Sequence, residues 1–170
     1  MNIVLTGFMG TGKTAVGRRL AEQLHVEFVD MDRVIEKKAG ESVASLFTSK
    51  GEPAFRRLES QVAEELSRLD KTVISTGGGA LLDPKNREHF QKNGILVCLT
   101  AKTATLLDRL SNDVTRPLLA GENVEQRMNR LMKERESVYA LCPVQVATDG
   151  KTIAAVADEI ARATASRWTA

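Results

Sequence analysis

The chain has little of what holds small extracellular or metal-dependent domains together. Two cysteines in 170 residues cannot build a disulfide framework, so Cys98 and Cys142 are expected to be buried thiols in a reducing compartment. His25 and His89 have no partner at ligand spacing, which excludes a Cys/His metal centre. Aromatic residues make up 4% of the chain, and its one tryptophan, Trp168, falls in the last turn, where packing is expected of it rather than recognition. No apolar run approaches the roughly 18 residues of a membrane span. The N-terminal residues read as a strand and not as a secretory leader, so the expected location is cytoplasmic. A net charge of +2 excludes a broad nucleic-acid surface and leaves room only for a local basic site. Repeats, low-complexity tracts and linkers are missing too, so residues 1–170 are expected to form a single domain with a full core.

What the chain does have is concentrated at its start. Gly7-Phe8-Met9-Gly10-Thr11-Gly12-Lys13-Thr14 matches the phosphate-binding P-loop at every position. Ile3-Val4-Leu5 leads into it as a strand, and Ala15 to Leu20 leaves it as a helix. Backbone N–H groups at such a helix start bind phosphate oxygens. Gly10, Thr11, Gly12, Lys13, Thr14 and Ala15 are therefore the candidate nucleotide-binding residues, with Lys13 as the positive charge for the β- and γ-phosphates and the Thr14 hydroxyl as a Mg²⁺ ligand. A second Gly-Lys-Thr at 150–152 has Gln145 in place of the first glycine and is discarded.

Further apolar runs at Val26–Val29, Val73–Ile74, Ile95–Leu99 and Val144–Val146 alternate with helical patterns. That alternation implies an α/β fold with a parallel sheet of about five strands and helices on both faces. Asp83-Pro84 predicts a helix start. Gly51-Glu52-Pro53 predicts the end of one helix and the start of another that carries Phe55, Leu58, Val62 and Leu66 on one face. Ligands in such sheets bind at the carboxyl ends of the strands, where the remaining motifs fall.

Asp30 and Asp32, at i and i+2 on the end of the second strand, point the same way if the strand stays extended. One is placed to hold hydrated Mg²⁺ beside Thr14 and the other to orient or deprotonate a hydroxyl; Asp32 as a plain helix cap is the alternative. Arg56 and Glu59, three apart on a helix, read on spacing alone as a surface ion pair; the alternative is a guanidinium fork on Arg56 held by Glu59 for a carboxylate. Gly77-Gly78-Gly79, directly after a strand, is costlier to order than a turn requires and suggests close approach of a ligand to bare N–H groups. The polar, Pro- and Gly-punctuated stretch over about 111–122 reads as a lid, with Arg116 swinging onto the γ-phosphate and Arg109 flanking adenine. Arg135 is anonymous by spacing. A GTP-dependent switch is excluded, since neither an Asn-Lys-x-Asp stretch nor an aspartate with glycine three residues on occurs.

The ordered set of Asp30-Met31-Asp32, Phe47, Gly51-Glu52, Phe55-Arg56, Gly77-Gly78-Gly79, Arg116-Pro117-Leu118-Leu119 and Arg135 with Tyr139 resembles the shikimate kinase family. The resemblance runs from Ile3 to about Ile160. It implies a three-layer α/β sandwich of the P-loop nucleoside-monophosphate-kinase type, with strand order 2-3-1-4-5, and transfer of the ATP γ-phosphoryl group to the 3-hydroxyl of shikimate. By resemblance, Asp32 binds the shikimate hydroxyls and acts as base. Arg56 and Arg135 grip the carboxylate, Gly78 and Gly79 offer backbone within a substrate region of about 32–60 and the glycine turn, and Arg116 meets the phosphates. Thr14 and Asp30 are left for Mg²⁺. Catalysis then falls to Lys13, Asp32 and Arg116, and ATP-binding to the P-loop with Arg109 and Arg116. The implied partners are ATP and shikimate, with no nucleic acid or membrane, and the chain is expected to be a monomer. A kinase for another sugar acid is the nearest rival. Glu136-Ser137-Val138 departs from the family's usual Arg-x-Pro-x-Tyr spacing residues, and Ala147-Thr148-Asp149-Gly150-Lys151 departs at the adenine loop and leaves those contacts open.

Overall fold

The computed structural model describes residues 1–110 and 124–168. The lid expected over about 111–122, with Arg116, lies outside the described residues. Five strands form one sheet: β1 (Asn2–Gly7), β2 (Glu27–Asp30), β3 (Thr72–Ser75), β4 (Gly94–Thr100) and β5 (Val144–Ala147). They run parallel in the order β2-β3-β1-β4-β5, as expected. The register is continuous across the centre, with Ile3 opposite both Val73 and Ile95. The helices are α1 (Lys13–Leu24), α2 (Met31–Ala39), α3 (Val43–Ser67), α4 (Pro84–Lys92), α5 (Thr103–Leu110), α6 (Val124–Tyr139) and α7 (Ile153–Trp168), with a 3₁₀ turn over Ala80–Leu82.

The strands read as continuous apolar runs because both faces of a parallel sheet are covered, while successive side chains still alternate between those faces. Ile3, Leu5, Val73, Ile95, Val97 and Leu99 pack with Val16 and Leu20 of α1 and Val156 and Ile160 of α7. Val4, Ile74, Leu96 and Cys98 point the other way, onto Ile35 of α2, Val62 and Leu66 of α3 and Phe90 of α4. Each fully buried aliphatic or aromatic side chain in these layers contributes about 1.5–3 kcal/mol. Trp168 packs on the first of the two layers. Among the described residues no helix is long and apolar enough to cross a membrane.

The local signals act where the sequence put them. Asp83 caps α4 by accepting from the Lys85 N–H at 2.8 Å, and Pro84 occupies the first helical position, where a missing N–H costs nothing. The run from Val43 to Ser67 is broken at Gly51, whose φ of 78° and ψ of 165° no helix contains, so the chain turns before Pro53 starts the second segment. That segment buries Phe55, Val62 and Leu66 as expected, and it also buries Glu59, which points toward the cavity at the carboxyl ends of the strands.

Candidate active site

The strand β1 delivers the chain into the P-loop, and α1 leaves it from Gly12, whose φ of 88° suits glycine. No side chain caps α1, so its first N–H groups are left for a ligand. Thr14 and Ala15 are exposed at this end while Val16 and Gly17 turn inward. The Thr11 hydroxyl fastens the loop on the Phe8 carbonyl at 2.7 Å. Lys13 reaches back over it, with Nζ donating to the carbonyls of Gly7 (2.9 Å) and Phe8 (3.1 Å). Arg109 donates through Nη1 to the Gly10 carbonyl and the Thr148 hydroxyl, and through Nη2 to the Thr148 carbonyl, all at 3.1 Å. The guanidinium thus joins the P-loop to the loop after β5. Asp149 secures that loop by accepting from the Thr105 hydroxyl at 2.7 Å and the Lys102 N–H at 3.0 Å.

The aspartate pair differs from the expectation. The strand β2 ends at Asp30 and α2 starts at Met31, so Asp32 lies in the first turn of a helix and not on an extended end. Asp30 is the cap: its Oδ1 accepts from the Asp32 N–H at 3.1 Å. Its Oδ2 accepts from the Thr14 hydroxyl at 2.9 Å. One carboxylate therefore starts the helix and meets the P-loop threonine, and the other is free of capping duty.

Beside the P-loop opens a cavity of about 690 Å³, and Thr14, Asp30, Asp32, Arg56, Gly78, Gly79 and Arg135 all line it. Phe47 and Phe55 form its apolar wall, with ring centroids 4.5 Å apart. Arg56 is held from two sides. Its Nη1 donates to Glu59 Oε2 at 2.7 Å, and its Nε and Nη2 donate to Glu52 Oε1 at 3.2 and 3.1 Å. Glu59 is only 2% exposed. Burial pushes its carboxyl above the ordinary range, Arg56 pulls it back, and the nearby Asp32 and Asp83 add to the rise. Arg135 is buried and stacks over the Phe8 ring at 5.4 Å.

The three glycines after β3 are the hub. A side chain at Gly77 would meet Asp32 Oδ1 at 2.9 Å and Glu59 Oε1 at 3.3 Å. At Gly78 it would meet Arg135 Nη1 and the Gly7 carbonyl, both at 3.2 Å, and at Gly79 the Arg56 Nη1 at 3.0 Å. The turn is bare because four charged side chains and the start of the P-loop crowd onto it. It also sets the cavity directly against the P-loop, whose Met9 and Thr14 share its lining.

A family model described as shikimate kinase matches residues 9–165. The chain belongs to the shikimate kinase family. It is 46% identical over 162 residues to the shikimate kinase of Caldanaerobacter subterraneus subsp. tengcongensis, covering 95% of each chain. It is 42% identical over 159 residues to that of Geobacter metallireducens, covering 94% of this chain and 89% of the other. A solved shikimate kinase from Acinetobacter baumannii in complex with shikimate superposes with a TM-score of 0.93 at 39% identity, covering 98% of this chain and 93% of that one. A gluconokinase from Sinorhizobium meliloti 1021 has a TM-score of 0.63 at 17% identity and shares the fold alone. Membership makes this chain an ATP-dependent phosphotransferase acting on an alcohol. Two groups, Glu59 in the cavity and Tyr139 on the glycine turn beside it, were not legible as functional from spacing. Glu59 looked like half of a surface pair, and Tyr139 entered only as part of the family pattern; the apolar face that carries Glu59 was the available signal for the first.

Proposed function

We propose that this chain transfers the γ-phosphoryl group of ATP to the 3-hydroxyl of shikimate, giving shikimate 3-phosphate and ADP on the route to chorismate and the aromatic amino acids. The observation that carries this reading is the single cavity in which Asp32, Arg56 and Arg135 face one another beside the P-loop. Two guanidinium groups and a carboxylate suit a carboxylated polyol and do not suit a nucleobase. Arg56 and Arg135 grip the ring carboxylate, helped by the backbone of Gly78 and Gly79. Asp32, released from capping by Asp30, orients the attacking hydroxyl and takes its proton. Gly10 to Ala15 cradle the phosphates, Lys13 swings from the loop carbonyls onto the β- and γ-oxygens, and Arg109 flanks the adenine from its anchorage on Thr148. Arg116 is assigned to the transferring phosphate on family resemblance.

Thr14 and Asp30 fit Mg²⁺: they present two hard oxygens 2.9 Å apart at the open end of α1, and Mg²⁺ keeps most of its waters and takes few protein ligands. When bound there with ATP, the ion supplies charge neutralisation at the β- and γ-phosphates. Because little covalent work falls to the protein, the rate comes from positioning and charge compensation in a site closed to water. The helices of residues 1–110 and 124–168 pack on the two faces of one sheet, which supports a single domain; a monomer is the state assigned to it on family resemblance. Two unpaired buried cysteines support a reducing, cytoplasmic location.

The test is an acceptor panel. Purified protein with ATP and Mg²⁺ is expected to phosphorylate shikimate, read as product mass and ADP release, and to leave gluconate and nucleoside monophosphates untouched. No phosphorylated shikimate, or preferred turnover of gluconate, overturns the reading.

A further inference from the structure

The glycine turn has no side chains of its own with which to stay in place. No described residue accepts from the N–H of Gly78 or Gly79. Among the described residues, the bond that fixes the Gly78 carbonyl comes from outside the cavity that Arg56 and Arg135 line: the hydroxyl of Tyr139 donates to it at 2.7 Å. Tyr139 closes α6 one helical turn after Arg135, and the Arg135 guanidinium is near enough to act on the same hydroxyl electrostatically. Burial pushes that hydroxyl up to about 12, so it stays a neutral donor at any working pH.

We propose that Tyr139 is a positioning residue for the acceptor: by holding the Gly78 carbonyl toward α6, it aims the Gly79 N–H into the cavity beside Arg56 and ties that N–H to the helix that carries Arg135. The carbonyl of Gly78 and the N–H of Gly79 belong to one planar trans peptide and point in opposite directions. With the oxygen drawn toward α6, the N–H faces the side where Arg56 Nη1 and Nη2 stand 3.0 and 3.1 Å from the Gly79 Cβ position. A peptide between two glycines turns over easily when nothing holds it. Once turned, it presents a carbonyl oxygen where an anion expects a donor. One hydroxyl thus sets the spacing of three donors that converge on one anionic group, and its effect falls on the carboxylate of the acceptor rather than on ATP.

The proposal rests on the cavity being the shikimate site, and the experiment separates the two. Tyr139→Phe keeps the ring and removes one oxygen. It is expected to raise the KM for shikimate about threefold to tenfold, the cost of one lost hydrogen bond, while kcat and the KM for ATP stay within about twofold. With shikimate methyl ester as acceptor, the ratio of mutant to wild-type kcat/KM returns toward one. Because the chain has a single tyrosine, 3-fluorotyrosine labels position 139 alone; its ¹⁹F resonance is expected to move when shikimate saturates the wild-type protein, whether or not the phenylalanine variant folds. An unchanged shikimate KM, an equal loss with the ester, or an unmoved resonance overturns the proposal. Wild-type protein that turns over no shikimate strikes the functional reading instead, and does so before any variant is made.

Discussion

Removing Arg56 perturbs two things at once, and the structure says how to separate them. Glu59 is 2% exposed and its guanidinium partner stands at 2.7 Å, while Arg56 itself is 36% exposed. Breaking a buried pair from one side costs roughly 3–5 kcal/mol; solvent at the open arginine screens part of that, which leaves about 1–3 kcal/mol for Arg56→Ala. At this chain length the loss corresponds to a fall in Tm of roughly 2–12 °C. The loss depends on pH. Burial raises the folded-state pKa of Glu59 above its unfolded value, against the pull of Arg56. Between those two values the native state binds more protons than the unfolded chain, so stability falls as pH rises through that window. Without Arg56 the folded pKa climbs further and the window widens upward. The deficit of Arg56→Ala relative to wild type should therefore be small near the ordinary carboxylate range, grow as pH rises, and level off above the raised value. Urea unfolding at a series of pH values measures it. Glu59→Gln in the Arg56→Ala background removes the stranded charge and should recover most of the stability. It should not recover the acceptor: losing a charge-assisted fork raises the KM for shikimate about 10- to 100-fold in single and double variants alike. A deficit that ignores pH, or a double variant as unstable as the single, refutes the electrostatic account of this cavity.

Three further outcomes follow from the geometry. Gly79 sits at φ −106° and ψ −4°, which alanine adopts freely, so Gly79→Ala adds no backbone strain and should lower the Tm only by the part of the Arg56–Glu59 contact that it disturbs, a smaller fall than that of Arg56→Ala. Its new methyl group displaces the Arg56 guanidinium and should raise the shikimate KM several-fold at constant ATP KM, read by steady-state kinetics. Thr14→Val keeps the shape and removes the oxygen that meets Asp30; a Mg²⁺ titration at fixed ATP should show the half-maximal concentration moved up several-fold. Asp83→Ala removes the cap of α4 and should cost about 0.5–2 kcal/mol in thermal or urea unfolding.

The phosphate half of the site and the acceptor half were unequally legible, for a physical reason. The P-loop is a local device: strand, glycines, lysine, threonine and helix follow in one stretch, and backbone geometry alone gives them their meaning. The same holds for Asp83-Pro84 and for the break at Gly51, both of which depend on the φ/ψ preferences of single residues. The acceptor half is assembled from β2, α3, the turn after β3 and α6, and no spacing within one segment records that Arg56, Arg135 and Asp32 meet. Asp30 and Asp32 show the limit most clearly. The motif was readable, but which carboxylate caps the helix depends on whether the strand stops two residues sooner, and sequence periodicity does not resolve boundaries that finely.

The glycine triplet lies between these cases, because it carries a local signal with a nonlocal cause. Its composition said that something approaches the backbone closely, and a ligand was the inference. The structure adds that Asp32, Glu59, Arg135 and Arg56 already occupy the space where three side chains would stand. The triplet is therefore a constraint imposed by the charged groups on one another as much as by the substrate. Any residue larger than glycine there spreads the groups apart, and a cavity whose two cations and two anions are spread loses the compensation that allows Glu59 to stay buried. Specificity for a compact anionic ring and the stability of this corner of the fold are thus the same requirement, written in three residues that carry no functional group of their own.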